Sequence, residues 1–235
     1  MEHLELASRF ATLTTAHIAD GCIRAGVEVR CAPFTLQALE PGSRMAGRAL
    51  PARHSGSADI FLEAFERARD GDVLVVDNGG RTDEGCVGDL VAIEATGAGV
   101  SGILIWGLNR DTVDIRRIGL PVFSLGTLPT GPLQVSGRQT DALEAATVGE
   151  WTIGTGDIVF ADDDGALFVP AARVGAVLDF AEAIRDTEQA QAARIESGDS
   201  LREQVRFAEY LSTRAENPGF TFRDHLRAVG GEIEV

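Results

Sequence analysis

The chain contains no lysine, and all 21 of its basic residues are arginines. This absence excludes a reaction that proceeds through a lysine Schiff base of this chain. It also excludes a Walker phosphate-binding loop, which requires a Gly-Lys-Ser/Thr sequence. Any cationic group that takes part in binding or chemistry is therefore expected to be a guanidinium group.

Cysteine is scarce, and long apolar runs are missing. The three cysteines form an odd count without metal-site spacing, which predicts free thiols in a reducing compartment. No apolar run approaches the roughly 20 residues that span a bilayer. The first residues, MEHLELASRFATL, lack the basic and apolar segments of a signal peptide. We therefore expect a cytoplasmic protein with no membrane partner.

Positive charge is also in deficit, since the formal net charge is −15 at pH 7. Binding to phosphate backbones requires clustered basic residues, so we expect no nucleic-acid partner. An anionic small molecule would need a local cationic site. The apolar fraction of 44% is typical of a globular protein with a proper core.

The pattern of apolar residues predicts an α/β fold. The runs VLVVD and GILIW are β-rich without polar alternation, as in strands buried on both faces, and helical segments alternate with them. MAGRALPAR is predicted to be an earlier strand, and SADIFLEAFERARDGD a helix capped by Ser57 and ended by Gly71. After Pro129 the short β-rich runs predict antiparallel hairpins. We predict one α/β domain over 1–170 and a helical extension over 171–235.

Several candidate sites fail on spacing. The segments DNGGRTDEGCVGD and ADDDGALF resemble calcium loops but lack the EF-hand glycine and glutamate at the required positions. His17, His54 and His225 stand alone without metal-ligand spacing, and we predict structural or surface roles for them.

One segment keeps a functional interpretation beside a structural one. Asp89 follows Gly88 at a predicted helix start, where it could cap the helix or face a ligand held by the free N–H groups. Arg110 and Asp111 follow the strand GILIW, where Asp111 could cap the next helix. Alternatively, the two could bind an oxyanion and a metal ion at the carboxyl edge of a parallel sheet.

The stretch GDVLVVDNGG…GDL…GILIWGLNRD…LPVFSLGTLPTG resembles the family of regulator of ribonuclease activity A (RraA) and its enzyme relatives. Those relatives are the class II 4-hydroxy-4-methyl-2-oxoglutarate/4-carboxy-4-hydroxy-2-oxoadipate aldolases, which carry Asp, twenty residues and then Arg-Asp. TTAHIADGC, RMAGRAL and GDIVFADDDGALFVP extend the likeness over most of the chain. The resemblance implies a swivelling β/β/α fold and a homotrimer or homohexamer with active sites between subunits.

The resemblance also implies roles for individual residues. Asp111 would bind Mg²⁺ or Mn²⁺, and Arg110 would contact the 2-oxo oxygen of the substrate. The backbone N–H groups of Leu90 and Val91, just after Gly88, would hold its carboxylate, and Asp89 would position a metal-bound water for proton transfer. An acid from a neighbouring subunit would complete the site, or an acid of a second shell would support it. The candidates for these acids are Asp20, Glu188, Glu196 and Asp199.

These expectations define a first hypothesis and its alternative. The first is a divalent-metal-dependent lyase that cleaves a 4-hydroxy-2-oxo acid to pyruvate and also decarboxylates oxaloacetate. The alternative is a non-catalytic, protein-binding regulator similar to RraA. Asp111 favours the enzyme, because the regulators lack an acid directly after the arginine. Trp106 and Asn109 depart from the stretch typical of the family, and the loop RTDEGC is more acidic than usual, so specificity is expected to differ there.

Overall fold

A computed structural model describes residues 2–229. Within this range the chain separates into two compact units: Glu28–Gly175 with the residues up to Ala16, and His17–Val27 with the residues from Ala176 onward. The prediction of separate domains over 1–170 and 171–235 stays a prediction. No helix among residues 2–229 is long and apolar enough to cross a membrane.

Mixed strands and helices build the first unit. The strands are β1 Arg30–Cys31, β2 Gln37–Ala38, β3 Met45–Arg53, β4 Val73–Asp77, β5 Gly85–Val87, β6 Gly102–Trp106, β7 Leu108–Asn109, β8 Val122–Ser124, β9 Ala145–Val148, β10 Trp151–Gly154, β11 Asp157–Asp162 and β12 Gly165–Pro170. The helices are α1 His3–Phe10, α2 Thr15–Ala25, α3 Asp59–Phe65, α4 Asp89–Gly97 and α5 Thr112–Ile118. Helix α2 continues into the second unit.

The main sheet has eight strands in the order β1-β12-β11-β3-β4-β6-β8-β2. Strands β3, β4, β6 and β8 run parallel, and the β11–β12 hairpin pairs antiparallel to β3. The predicted strands and the predicted antiparallel hairpins after Pro129 are therefore confirmed. Two separate two-stranded sheets, β9–β10 and β5–β7, complete the described part of this unit.

Alternating side chains of the central strands pack into two hydrophobic cores. Leu74 and Val76 of β4 pack on one side with residues of α3, α4 and α5, whereas Val73 and Val75 pack on the other side with residues of β9, β10, β11 and β12. Since successive strand residues point to opposite faces, a fully apolar strand is needed between two cores. The result is a layer of helices, a parallel sheet and a second β-layer.

The helix predicted over SADIFLEAFERARDGD is shorter than expected. Helix α3 begins at Asp59 after an Ala58 N-cap and ends at Phe65, so Ser57 is not the cap and Gly71 does not end the helix. The apolar face is as predicted, since Ile60, Phe61, Ala64 and Phe65 are all buried.

The second unit is helical. It contains α6 Val174–Glu196, α7 Leu201–Gln204, α8 Phe207–Glu216 and α9 Phe222–Val229, and the part of α2 from His17 onward packs with it. Gly21 of α2 lies against α6 so closely that an added Cβ would be 2.5 Å from the Val177 carbonyl oxygen. The helical extension predicted for the C-terminal region is therefore present.

Candidate active site

The start of α4 presents backbone donors to solvent. Strand β5 leads into Gly88, which occupies the N-cap position in an extended conformation. Asp89 is the first helical residue, so the prediction that Asp89 caps the helix is wrong by one position. Its Oδ1 accepts a hydrogen bond of 2.8 Å from the N–H of Leu90. The first N–H that bonds back to a carbonyl is that of Ala92, at 3.2 Å from Gly88 O, which leaves the first-turn donors to other partners.

Pairing between β5 and β7 brings Arg110 beside Gly88. The two short strands run parallel with Val87 opposite Asn109, and the Arg110 N–H donates to Val87 O at 2.9 Å. Residues that directly follow two paired parallel strands emerge at the same edge. The arginine and the helix start, which lie far apart in the sequence, are adjacent for this reason.

Asp111 has an unusual backbone conformation. It occupies the N-cap position of α5, but its side chain accepts no capping hydrogen bond and its φ of 58° is left-handed. Its Oδ2 lies 3.3 Å from Arg110 Nε. Non-glycine residues in this region carry a backbone cost of about 1–3 kcal/mol in general, which is smaller for aspartate than for most residues, and they cluster at functional sites. The carboxylate is thus turned toward Arg110 instead of capping the helix.

Two glycines make room for these side chains. A Cβ at Gly131 would lie 2.6 Å from Arg110 Nη1, and a Cβ at Gly88 would overlap Asp111 Oδ2. Side chains at either position would displace the ion pair.

Asn109 fixes the loop that carries the pair. It is fully buried, its Oδ1 accepts from Ser124 Oγ at 2.8 Å, and its carbonyl oxygen accepts from the N–H of Leu128 at 2.9 Å. The departure from the usual family stretch at this position therefore has a structural role. Asn109 joins the end of β7 to the last residue of β8 and to the segment that follows it.

A pocket of about 350 Å³ contains the predicted substrate-binding residues. The predicted residues among its walls are Gly88, Asp89, Leu90, Val91 and Arg110; the other residues are His54, Gly56, Ala58, Gly85, Cys86, Gly131 and Pro132. The Arg110 side chain is 45% exposed and that of Asp111 is 36% exposed, so both can reach a ligand. The structure brings together the residues that the sequence singled out around position 89 and position 110.

His54 lines the same pocket, although its spacing in the sequence predicts only a structural or surface role. It also lines a neighbouring cavity of about 730 Å³. Its pKa is below its ordinary value because the ring is buried. A feature of the sequence that indicates a functional position for His54 is its place directly after β3, at the carboxyl end of a parallel strand.

The remaining predicted acids lie in the second unit. Glu188 Oε2 is 3.0 Å from His17 Nε2, and burial together with the Glu188 charge raises the pKa of Asp20. Asp199 accepts two hydrogen bonds from Arg194, while Glu196 is exposed. Asp20 and Glu188 are therefore brought near each other within this unit. A role for any of these acids at a neighbouring subunit stays a prediction.

The residues present fit a divalent cation that keeps most of its water ligands. Within residues 2–229 no group of three or more His, Cys, Asp or Glu side chains could hold a metal ion. Asp111 offers a single half-exposed carboxylate beside the pocket. Mg²⁺ binds in this manner, through one or two carboxylates with several waters and substrate oxygens.

Comparison with known proteins assigns the family. A family model described as RraA-like, Aldolase/RraA, matches residues 15–168. The chain belongs to the RraA-like family. This family contains both aldolases and RraA-type inhibitors, and the resemblance seen in the sequence is confirmed.

The relatives of this RraA-like chain agree with that assignment. It is 30% identical over 213 residues to protein DlpA of Legionella pneumophila subsp. pneumophila, a match that covers 86% of this chain and 33% of DlpA. The chain thus spans about a third of the length of that curated relative.

Solved structures share the fold. Streptomyces coelicolor RraAS2, described as an unusual member of the RNase ES inhibitor RraA protein family, superposes with a TM-score of 0.70 at 26% identity, covering 81% of this chain and 98% of RraAS2. An uncharacterized protein from Pseudomonas syringae pv. tomato gives a TM-score of 0.72 at 24% identity, covering 85% of this chain and 96% of that one. The predicted swivelling β/β/α fold is confirmed.

Proposed function

We propose that this RraA-like protein is a divalent-metal-dependent lyase that cleaves a 4-hydroxy-2-oxo acid to pyruvate, with accompanying oxaloacetate decarboxylation. The observation that supports this most strongly is the convergence of Arg110 and the α4 N-terminus on one pocket beside the left-handed Asp111. A guanidinium group, N–H groups at a helix start and a carboxylate are the groups that a 2-oxo acid and a metal ion require.

Substrate binding uses the first turn of α4. The N–H groups of Leu90 and Val91 hold the carboxylate next to the oxo group, helped by the positive end of the helix dipole. In the structure Asp89 Oδ1 accepts the Leu90 N–H, so Asp89 must release this donor when substrate binds. Arg110, which lies beside Gly88 at the start of the helix, donates to the 2-oxo oxygen.

The chemistry follows from where charge develops. When the bond between C3 and C4 breaks, its electron pair forms an enolate whose oxygen becomes negative. Arg110 stabilises that charge, since its guanidinium group already lies at the pocket, paired with Asp111, before the reaction begins. Asp89, once it has released the Leu90 N–H, holds a water molecule that returns a proton to C3. A cation held by Asp111 would add positive charge at the developing oxyanion and acidify water.

The assembly and location are part of the same proposal. The active form is a homotrimer or homohexamer in the cytoplasm, in which one of Glu188, Glu196 or Asp199 reaches the site of a neighbouring subunit. Asp20 supports that acid without itself contacting the substrate or the cation. The cation is Mg²⁺ or Mn²⁺.

The alternative function is protein binding, in the manner described for the RNase ES inhibitor family to which RraAS2 belongs. A regulator of this kind needs no strained carboxylate beside Arg110. The left-handed Asp111, with no capping hydrogen bond, favours the enzyme.

Pyruvate release tests the proposal. The wild-type protein with Mg²⁺ or Mn²⁺ is assayed on 4-carboxy-4-hydroxy-2-oxoadipate and 4-hydroxy-4-methyl-2-oxoglutarate, beside Arg110→Ala. The matched control is Arg117→Ala, because Arg117 is an exposed arginine of α5 that pairs with Asp114. We expect turnover by wild type and control and a loss of at least about 100-fold in Arg110→Ala. Equal release by all three would contradict the assignment of Arg110.

A further inference from the structure

The imidazole ring of His54 is held rigidly at the junction of two cavities. Its backbone N–H donates to Asp77 O at 2.9 Å, and its ring stacks on Phe61 with centroids 5.3 Å apart and planes 5° apart. The side chain is only 2% exposed. His54 and Gly56 line both the 350 Å³ pocket and the neighbouring 730 Å³ cavity. The little accessible surface that the ring has therefore borders these two cavities.

The contacts of Nδ1 define which ring nitrogen carries the proton. Nδ1 lies 2.8 Å from Asn78 Oδ1 and 3.8 Å from Glu84 Oε1. Because an amide oxygen and a carboxylate oxygen face Nδ1, we assign the proton of the neutral ring to Nδ1. Nε2 then carries the lone pair, and it has no protein hydrogen-bond partner within residues 2–229.

Glu84 is a buried carboxylate whose placement requires an explanation. Its side chain is 4% exposed, and Oε2 accepts from Arg81 at a distance of 3.1 Å. Oε1 is buried and has no hydrogen-bond partner in the described part of the chain. An incompletely satisfied buried carboxylate is costly. Its position behind the protonated Nδ1 lets it stabilise the imidazolium that forms when Nε2 accepts a proton, as the carboxylate does in an Asp–His pair.

The surroundings of the His54 ring favour its neutral form, since their net effect is to lower its pKa. Burial lowers the pKa of His54 most strongly, and Arg81 lowers it further. The hydrogen bond to Asn78 and the charges of Glu84 and Asp59 raise it. At neutral pH the ring is therefore available to accept a proton.

We propose that His54 is the general base that removes the proton of the substrate's 4-hydroxyl group during aldol cleavage. This inference rests on the proposed function. The hydroxyl proton moves to Nε2, the O–H electrons form the new C4 carbonyl, and the C3–C4 electron pair passes to the enolate. The protonated ring returns its proton to solvent after the carbonyl fragment leaves.

The layout of the cavities agrees with this role. The 2-oxo and carboxylate groups of the substrate occupy the pocket that Arg110 and Leu90 line. A chain that extends from there into the larger cavity passes His54, which places C4 beside the ring. The larger cavity offers polar walls to the departing fragment, including Arg53, Asn78 and Gln139.

The ratio of two activities tests the assignment. Decarboxylation of oxaloacetate produces the same enolate but removes no hydroxyl proton, so it does not need this base. In His54→Gln we expect the ratio of aldol cleavage to decarboxylation to fall about 100-fold or more. An unchanged ratio, whether both rates fall or both persist, would overturn the proposal. If wild type catalyses neither reaction, the proposed function itself fails, which is a distinct outcome.

A second variant tests the contribution of Glu84 separately from folding. The negative charge of Glu84 raises the pKa of His54, so Glu84→Gln should move the acid limb of the cleavage profile to lower pH. Asp83→Asn is the matched control, because Asp83 also binds Arg81 but is 70% exposed. In nitrogen-15 NMR spectra, the histidine signals that disappear in His54→Gln belong to His54. We expect these signals to show a ring that is protonated at Nδ1. A protonated Nε2, or identical acid limbs in both variants, would contradict the assignment.

Discussion

Gly88 and Asp111 are in such close contact that no side chain fits between them. A Cβ at position 88 would overlap Asp111 Oδ2 and lie 3.3 Å from Arg110 Nε, while the φ of Gly88, −124°, is one that any residue adopts. The glycine is thus needed for space and not for backbone freedom. Because Gly88 has no side chain, the start of α4 can lie directly against the carboxylate that is proposed to hold a metal ion.

Gly88→Ala should therefore damage activity more than stability. The methyl group must displace the Asp111 carboxylate, and we expect pyruvate release to fall at least about 10-fold, since small misplacements of reacting groups are costly. Gly97→Ala is the control, because a Cβ there meets no atom of residues 2–229 within 4 Å and alanine stabilises a helix by about 0.4–1 kcal/mol. Thermal unfolding and pyruvate release measure both effects. Equal activity of the two variants would contradict this account of Gly88.

Arg110→Lys should lose activity although it keeps the positive charge. Lysine provides a flexible point charge and cannot reproduce the planar set of guanidinium donors. We expect kcat/KM to fall by about 10- to 100-fold without loss of stability, since the side chain is half-exposed. Arg117→Lys on the same stretch of chain is the control. Full activity of Arg110→Lys would mean that only the charge of residue 110 matters.

Cys86 lines the pocket, and its thiol is not a nucleophile at neutral pH. Burial raises its pKa from an ordinary value of 9.0 to about 12. Above pH 9 the unfolded chain loses this proton before the folded chain does, so stability falls as the pH rises from 9 toward 12. The loss approaches about 1.4 kcal/mol per pH unit. Denaturation of wild type and Cys86→Ala between pH 8 and 11 should give a steeper decline for wild type; parallel curves would be inconsistent with the raised pKa.

Asp162 anchors the start of α2 and should contribute to stability. Its carboxylate accepts from the backbone N–H of Thr15 at 2.8 Å and from Thr15 Oγ1 at 2.6 Å, and all these groups are buried. Asp162→Ala leaves both Thr15 donors unpaired, and we expect the free energy of unfolding to fall by about 1–3 kcal/mol. Asp164→Ala, at an exposed position of the same turn, is the control and should change stability by less than about 0.5 kcal/mol. Equal effects in denaturant titrations would contradict this role.

The sequence predicts the parts of this fold that depend on local pattern. Strands β3, β4 and β6 follow from apolar runs, and the pocket residues around positions 89 and 110 follow from their places after buried strands. The pairing of β5 with β7 could not be predicted, because strands of two or three residues carry no periodicity. The left-handed backbone of Asp111 and the contact of His54 with Glu84 are also invisible in the sequence. Both arise from tertiary packing of segments that are distant in the chain.

Asp111 and Arg110 are proposed to form a metal-dependent enolate site. The most direct measurement is oxaloacetate decarboxylation by wild type and Asp111→Asn, each with and without Mn²⁺. Asparagine tolerates the left-handed conformation, so the variant should fold normally while the anionic ligand is lost. We predict Mn²⁺-dependent turnover by wild type and a loss of about 100-fold or more in Asp111→Asn. Turnover no faster than that of Mn²⁺ alone, or equal turnover by the two proteins, would contradict the account.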